Sequence, residues 1–172
     1  WKWTITKNGV DDLRSKFHWI HGDILDLKPT IIGKDILSLS ASIEKNEFLS
    51  HQTYQNVQLD MYVNLDSLNG EFKIIHHYLA NESYDFVSIS AEGNVTQGRI
   101  KGDESIIFEK SQHSFDGLLF ISVVSDGPHF RGYLNEKMIV HGHGEAPNKG
   151  YVGIGLTGQG KIYLKSITLT QL

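Results

Sequence analysis

A chain of 172 residues is long enough to bury a sizeable core and short enough to do so as one domain. Hydrophobic residues at 40% and charged residues at 21% exclude a disordered chain, and the absence of cysteine excludes a disulfide or a thiolate metal site. A formal charge of −4 with no Lys/Arg cluster argues against a nucleic-acid partner. No apolar run approaches the roughly 18 residues that span a bilayer, so no membrane span is expected. The chain opens Trp1-Lys2-Trp3 without a signal-peptide pattern, which reads as a processed piece of a larger exported polypeptide. Its expected location is secreted, periplasmic or cell-surface.

In chain order, Lys2–Thr6 reads as a strand, Asp11–Lys16 as a short helix, and Phe17–His21 and Ile24–Leu27 as strands turned at Gly22. Ile36–Ser40 is a further strand, and Ser42–Phe48 is the second stretch with helical character. From Val57 to Leu65 the alternation is clear: Val57, Leu59, Met61, Val63 and Leu65 point one way, Gln58, Asp60, Tyr62 and Asn64 the other. Strands follow at Glu71–Leu79, Tyr84–Ala91, Val95–Lys101, Ser105–Lys110 and Gly117–Ser125, separated by turns such as Asn81-Glu82-Ser83 and Glu92-Gly93-Asn94. His129–Asn135 and Lys137–His141 read as a hairpin around Asn135-Glu136. Tyr151–Thr157 and Lys161–Thr170 close the chain, joined by a turn at Gly158-Gln159-Gly160. Many strands at about 8–12-residue spacing, with no repeat and no linker, predict one all-β sandwich spanning residues 1–172.

Several local patterns narrow that class. Phe17-His18-Trp19-Ile20-His21-Gly22-Asp23-Ile24-Leu25, Tyr54-Gln55-Asn56-Val57-Gln58-Leu59-Asp60-Met61 and Tyr84-Asp85-Phe86-Val87-Ser88-Ile89 are three of them. The C-terminal third adds His129-Phe130-Arg131-Gly132-Tyr133-Leu134-Asn135-Glu136-Lys137, Tyr151-Val152-Gly153-Ile154-Gly155-Leu156 and Lys161-Ile162-Tyr163-Leu164 through Leu169. Together, over residues 17–170, these resemble the concanavalin A-like jelly rolls, and within them family-66-like carbohydrate-binding modules and laminin-G-like domains. The resemblance lies in spacing and residue class. It implies a jelly-roll sandwich of two antiparallel sheets, of the lectin/glucanase type, with a polysaccharide or oligosaccharide as partner. No cofactor is expected. Calcium, which the resemblance would allow, finds no support: Lys165 and Ser166 stand where an aspartate is frequent, and Asn135-Glu136 replaces an aspartate-glycine turn.

The candidate chemistries differ in what they ask of the sequence. Glycoside hydrolases on this fold commonly carry a Glu-x-Asp-x-Glu strand, and none is present; Gln58-Leu59-Asp60-Met61-Tyr62 supplies one acid. A polysaccharide lyase would pair Tyr with His and neutralise a carboxylate with Arg or Gln; His76, His77, Tyr78, Tyr84, Arg99, Arg131 and Tyr133 supply the residue types without a lyase motif. His141-Gly142-His143 sets two imidazoles on one side of an extended segment with Glu145 in reach, yet reads first as a Gly/His loop, so no metal site is expected. Sugar binding asks less: aromatic rings for C–H faces and planar polar groups for hydroxyls. With Val87 and Ile89 in the core, Tyr84 and Phe86 face outward; with Phe130 and Leu134 in the core, His129, Arg131 and Tyr133 do, and Tyr151 can join them. Placing Phe72, Ile74, His76 and Tyr78 inward leaves His77 outward. The expectation is a non-catalytic sugar-binding module that holds a glycan on its concave sheet by aromatic stacking and Arg/His/Tyr hydrogen bonds, with Arg131, Tyr133, Tyr84 and His77 as ligand-binding residues, Arg99 after them, and no catalytic residue assigned. Two other readings remain open: a lyase or glycosidase on this scaffold, and a structural or adhesive domain of a larger protein.

Overall fold

The alternation at Val57–Leu65 is realised as β6 (Val57–Asn64), whose odd-numbered residues are buried while Gln58, Asp60 and Asn64 are half-buried and Tyr62 exposed on the other face. In the computed structural model, which describes all of residues 1–172, this habit recurs in fourteen strands beside one short helix. Before β6 come β1 (Lys2–Thr4), α1 (Gly9–Lys16), β2 (Phe17–His21), β3 (Thr30–Ile32), β4 (Ile36–Ser40) and β5 (Asn46–Tyr54). After it come β7 (Leu68–Tyr78), β8 (Tyr84–Ser90), β9 (Asn94–Lys101), β10 (Glu104–Gln112), β11 (Leu118–Asp126), β12 (His129–Leu134), β13 (Lys137–His143) and β14 (Gly150–Gln171).

Every pairing is antiparallel, and the strands divide into two layers. Sheet A runs β3-β4-β14-β6-β11-β12-β13, with β1 alongside the end of β14. Sheet B runs β2-β5-β14-β7-β8-β9-β10. This is the expected jelly-roll sandwich. β14 belongs to both layers: Gly150–Leu156 pairs with β5, Tyr151–Gly160 with β7, and the remainder with β4, β1 and β6. The expected turn at residues 158–160 is thus a bend within one strand. Gly158 and Gly160 make it with φ of +122° and +86°, and a Cβ at Gly160 would stand 1.9 Å from the Ser67 carbonyl oxygen.

The core lies between the layers. Phe48, Phe72, Ile74 and Val87 of sheet B meet Met61, Val63, Ile121 and Leu164 of sheet A, each fully or nearly fully buried. Each such side chain contributes about 1.5–3 kcal/mol by leaving water. At one margin the layers draw together, where the backbone N–H of His141 on β13 donates to the Glu109 carboxylate on β10.

Two local expectations are corrected. Ile24–Leu27 is not a strand: successive bonds from Asp26 N to Asp23 O, Leu27 N to Ile24 O and Lys28 N to Leu25 O wind it into turns. Ser42–Phe48 is not helical, because β5 begins at Asn46. The Asn46 amide there accepts from Trp19 Nε1 at 2.7 Å and donates to the Asp23 carbonyl at 3.1 Å, tying the strand to that turn.

Candidate functional site on the outer face of sheet B

The outer face of sheet B is built in rows fixed by strand register. Leu49, Gly153, Ile75 and Phe86 align across β5, β14, β7 and β8; Glu47, Gly155, Lys73 and Ser88 align in the next row. Beyond the first row Tyr151 pairs with Tyr78. Leu49, Ile75 and Tyr78 form a small apolar cluster apart from the main core, covered by Ile20, Tyr84 and Tyr151. An aromatic belt results. His51 stacks on His18 at 5.3 Å and His18 meets Tyr151 edge-on at 5.4 Å; beyond the Tyr151–Tyr78 pair, Tyr78 stacks on Tyr84 at 5.8 Å and Tyr84 meets Phe86 at 6.2 Å.

Polar groups flank the belt. Lys73 Nζ lies 5.4 Å from the Phe86 ring centre and 5.9 Å from that of Tyr84, and 3.5 Å from the Glu71 carboxylate. Glu47 is only 2% exposed; its Oε2 lies 3.5 Å from Lys45 Nζ and 3.6 Å from His21 Nε2, without a hydrogen bond to either. Between these side chains Gly153 and Gly155 keep the floor low, and a Cβ on Gly155 would touch Glu47 Cγ and Lys73 Cβ at 3.3 Å. Burial, reinforced by Glu47, Glu71 and Glu82, pushes the Tyr84 phenol up to about 12, so it stays a neutral donor and acceptor at physiological pH.

Beneath this face, at one end of the sandwich, lies a buried polar cluster. Arg99 grips Asp85 bidentately, Nε to Oδ1 at 2.5 Å and a terminal nitrogen to Oδ2 at 2.9 Å, and donates to the Glu145 carbonyl at 2.8 Å. The Arg99 guanidinium also sits over the Phe108 and Phe130 rings at 5.5 and 5.4 Å. His77 Nε2 meets the Gln55 carbonyl at 2.9 Å, so it carries the proton. His77 Nδ1 is then the acceptor for His76 Nδ1–H, also at 2.9 Å. Burial holds both imidazoles below their usual range, His76 down to about 3. The residues 145–148 cover the cluster, leaving a cleft of about 160 Å³ bordered by Tyr84, Ser83, Lys101 and Asn148.

The five expected ligand-binding residues therefore do not share one surface. Tyr84 stands on the outer face of sheet B. His77, expected outward, is 2% exposed and turned inward. Its φ of +55° marks a bulge after which Tyr78 faces outward, so strict alternation fails at this position. Arg99 is buried, with its donors engaged by Asp85 and Glu145. Arg131 and Tyr133 lie on the far side of the molecule, on the outer face of sheet A, where they share a shallow depression with Gln58, Ser122 and Asp126. Glu47 is not a candidate in the sequence because residues 46–50 are covered on both faces and carry no period of two. The usable signal was Glu47, Leu49 and His51 at alternate positions, answered by Gly153 and Gly155 on the paired strand.

No family model matches the chain, and no curated protein matches it in sequence. Solved structures do match in fold. A protein of unknown function with a galectin-like fold from Bacillus subtilis superposes with a TM-score of 0.78 at 10% identity, over 99% of this chain and 94% of the other. A β-1,3-1,4-glucanase (lichenase) derived from a mouse hindgut metagenome gives 0.74 at 8% identity, over 99% of both chains. The family-66 carbohydrate-binding module of Bacillus subtilis gives 0.71 at 12% identity, over 91% and 96%. The chain has the concanavalin A-like jelly-roll fold.

Proposed function

We propose that this chain is a non-catalytic carbohydrate-binding module that holds a polysaccharide or oligosaccharide on the outer face of sheet B. The observation that carries the reading is the aromatic belt, with a row of charged and hydroxyl groups alongside it and two glycines lowering the floor between them. Tyr84 and Tyr151 would stack on the C–H faces of sugar rings, while Lys73 and the Tyr84 hydroxyl would take up hydroxyl groups. Similarity to a carbohydrate-binding module and a lichenase supports a sugar ligand at the level of fold. Such a module acts outside the cell, and no helix of this chain is long and apolar enough to cross a membrane.

Two features weigh against an enzymatic reading. A retaining glycosidase needs two carboxylates about 5–5.5 Å apart, whereas the outer face of β7 presents Glu71, Lys73 and Ile75 in succession, with Glu71 beside Lys73. Among the Tyr and His candidates for a lyase base, Tyr84 is pushed up to about 12 and His77 is held by Gln55 and His76, which leaves the His18–Tyr151 pair of the belt as the one an activity assay should vary.

The deciding experiment is a glycan array with the isolated chain, with calcium and again with EDTA, followed by titration of any hit. Binding that survives EDTA and falls at least tenfold in Tyr84→Ala and Tyr151→Ala, but not in Arg131→Ala, supports this face. Loss in Arg131→Ala alone would move the site to sheet A. Loss in EDTA that added calcium, and not zinc, restores would bring in calcium. Silence of a folded sample across a broad array would favour a structural or adhesive domain.

A further inference from the structure

We propose that His129, His141 and His143 form a site for a zinc-class divalent metal ion on the outer face of sheet A. The sequence offers only the His141-Gly142-His143 pair, and Glu145, the third ligand it suggests, lies 3.8 Å from Lys101 Nζ instead. The topology supplies a different third ligand. In the β12–β13 hairpin His129 pairs in register with His143 and Arg131 with His141, so all three histidines fall on one face. Their ring nitrogens come within 4.8 Å of one another, with ring centres 4.8 Å apart for His129–His143 and 4.5 Å for His141–His143.

The three exposed imidazoles are held together by strand register alone. None of the three rings has a hydrogen-bond or ion-pair partner; His141 engages only its backbone N–H, with Glu109. Neutral imidazole is, however, the commonest nitrogen ligand for zinc, and three histidines with a fourth position open are a known coordination set. A tetrahedral ion with Zn–N bonds of about 2.0–2.1 Å sets its nitrogens about 3.4 Å apart. Exposed rings can reach that spacing by small side-chain rotations.

The backbone beneath them is held in place. Gly142 faces inward, where a Cβ would meet Gln97 Oε1 and Phe108 Cβ at 2.7 Å, so the strand between the two histidines is pressed against the core. A pair at i and i+2 plus a cross-strand partner is thus fixed by β-sheet register, independently of loop conformation. Around the site, Asp126 pairs with His129 on the adjacent strand and Arg131 stands beside His141. A depression of about 420 Å³ lined by His129, Arg131, Tyr133, Met138 and His141 opens next to it. The Arg131 charge would favour an anionic ligand, such as a carboxylate, in the open fourth position. This inference does not depend on the glycan reading, whose residues lie on the other sheet.

The test is calorimetric titration of the protein, with any polyhistidine tag removed, with Zn²⁺, paired with the visible spectrum of the Co²⁺ form. One ion per chain is expected, with the intense visible bands of tetrahedral cobalt. His129→Ala and His143→Ala should each weaken binding at least about tenfold. His113→Ala, a histidine elsewhere that bonds to Ser111, should leave it unchanged. Because all three proposed ligands are exposed, the metal-free melting temperatures should match the parent's. No binding, binding that survives His129→Ala, or equal loss in His113→Ala would overturn the proposal.

Discussion

Buried charge is affordable at Arg99 and Asp85 because each satisfies the other through two hydrogen bonds and a third guanidinium N–H finds the Glu145 carbonyl. Removing one partner strands the other. Asp85→Ala should therefore cost about 3–5 kcal/mol in urea unfolding, while the double change Asp85→Leu with Arg99→Met should cost clearly less. The neighbouring His76 makes stability depend on pH. Unfolded, its imidazole takes a proton near 6.5; folded, buried beside His77, Asp85 and Arg99, it does so only near about 3. Between those values the unfolded chain binds more protons, so this contribution is complete above about pH 6.5 and drains away as pH falls. The loss should be about 2 kcal/mol between pH 6.5 and 5 from His76 alone. His77, lowered by burial too, acts in the same direction. Urea midpoints at pH 7 and pH 5 would measure the drop, and His76→Gln should remove about one proton from the slope. None of this was legible in the sequence: adjacent histidines on a strand must face opposite ways unless the backbone departs from extended geometry, and only the φ of +55° at His77 brings both inward.

At the scale of elements, strands with one buried face and flanking turns could be read directly; β6, β8 and β12 lie within a residue or so of where alternation puts them. The signal failed where both faces of a strand are covered. In β5 the consecutive residues Asn46, Glu47, Phe48, Leu49 and Ser50 are all buried, so no period of two survives in residue type. It failed again for β14, whose glycine-rich centre has the composition of a turn but is the point at which one strand changes sheets. The two glycines there are required by backbone geometry. Gly160→Ala must place a side chain at φ +86° and push against the Ser67 carbonyl, and should cost at least about 1–3 kcal/mol. Gly155→Ala should be milder, since its φ is ordinary for a strand and its nearest neighbours, Glu47 Cγ and Lys73 Cβ at 3.3 Å, need give only a few tenths of an ångström. Comparing the two melting temperatures would separate the conformational role of β14's glycines from their role in keeping the proposed sugar floor open.

For the molecule as a whole, a sandwich presents two outer faces separated by a close-packed core, and the candidate residues fall on both. Tyr84, Tyr151, Lys73 and Glu47 belong to sheet B; Arg131, Tyr133 and the three histidines of β12–β13 belong to sheet A. Sequence reasoning assigned Tyr84 and Arg131 to one surface because alternation reports which residues leave the core, not which of two layers a strand joins. Layer membership is set by long-range pairing, such as β11 with β6 and β14 with β7, which no local pattern encodes. The arrangement has a functional consequence. Two ligands on opposite faces can influence each other through the core, through β14, the one strand common to both sheets, or through the margin where β13 meets β9 and β10. Neither β12 nor β13 pairs with β14, β13 meets β9 and β10 from the inner side, away from the outer face that carries Tyr84 and Tyr151, and the interior is well filled, so no element stands ready to switch between two arrangements. Glycan affinity should accordingly be the same, within about twofold, for the metal-free protein and for protein saturated with zinc, a coupling below about 0.5 kcal/mol. Titrating the best array hit into both forms measures it, and reciprocity requires the zinc affinity to be equally indifferent to the sugar. A tenfold change in either direction would mean that the two faces are coupled, either by a sugar that reaches the histidine face or through the margin where His141 bonds Glu109 of sheet B.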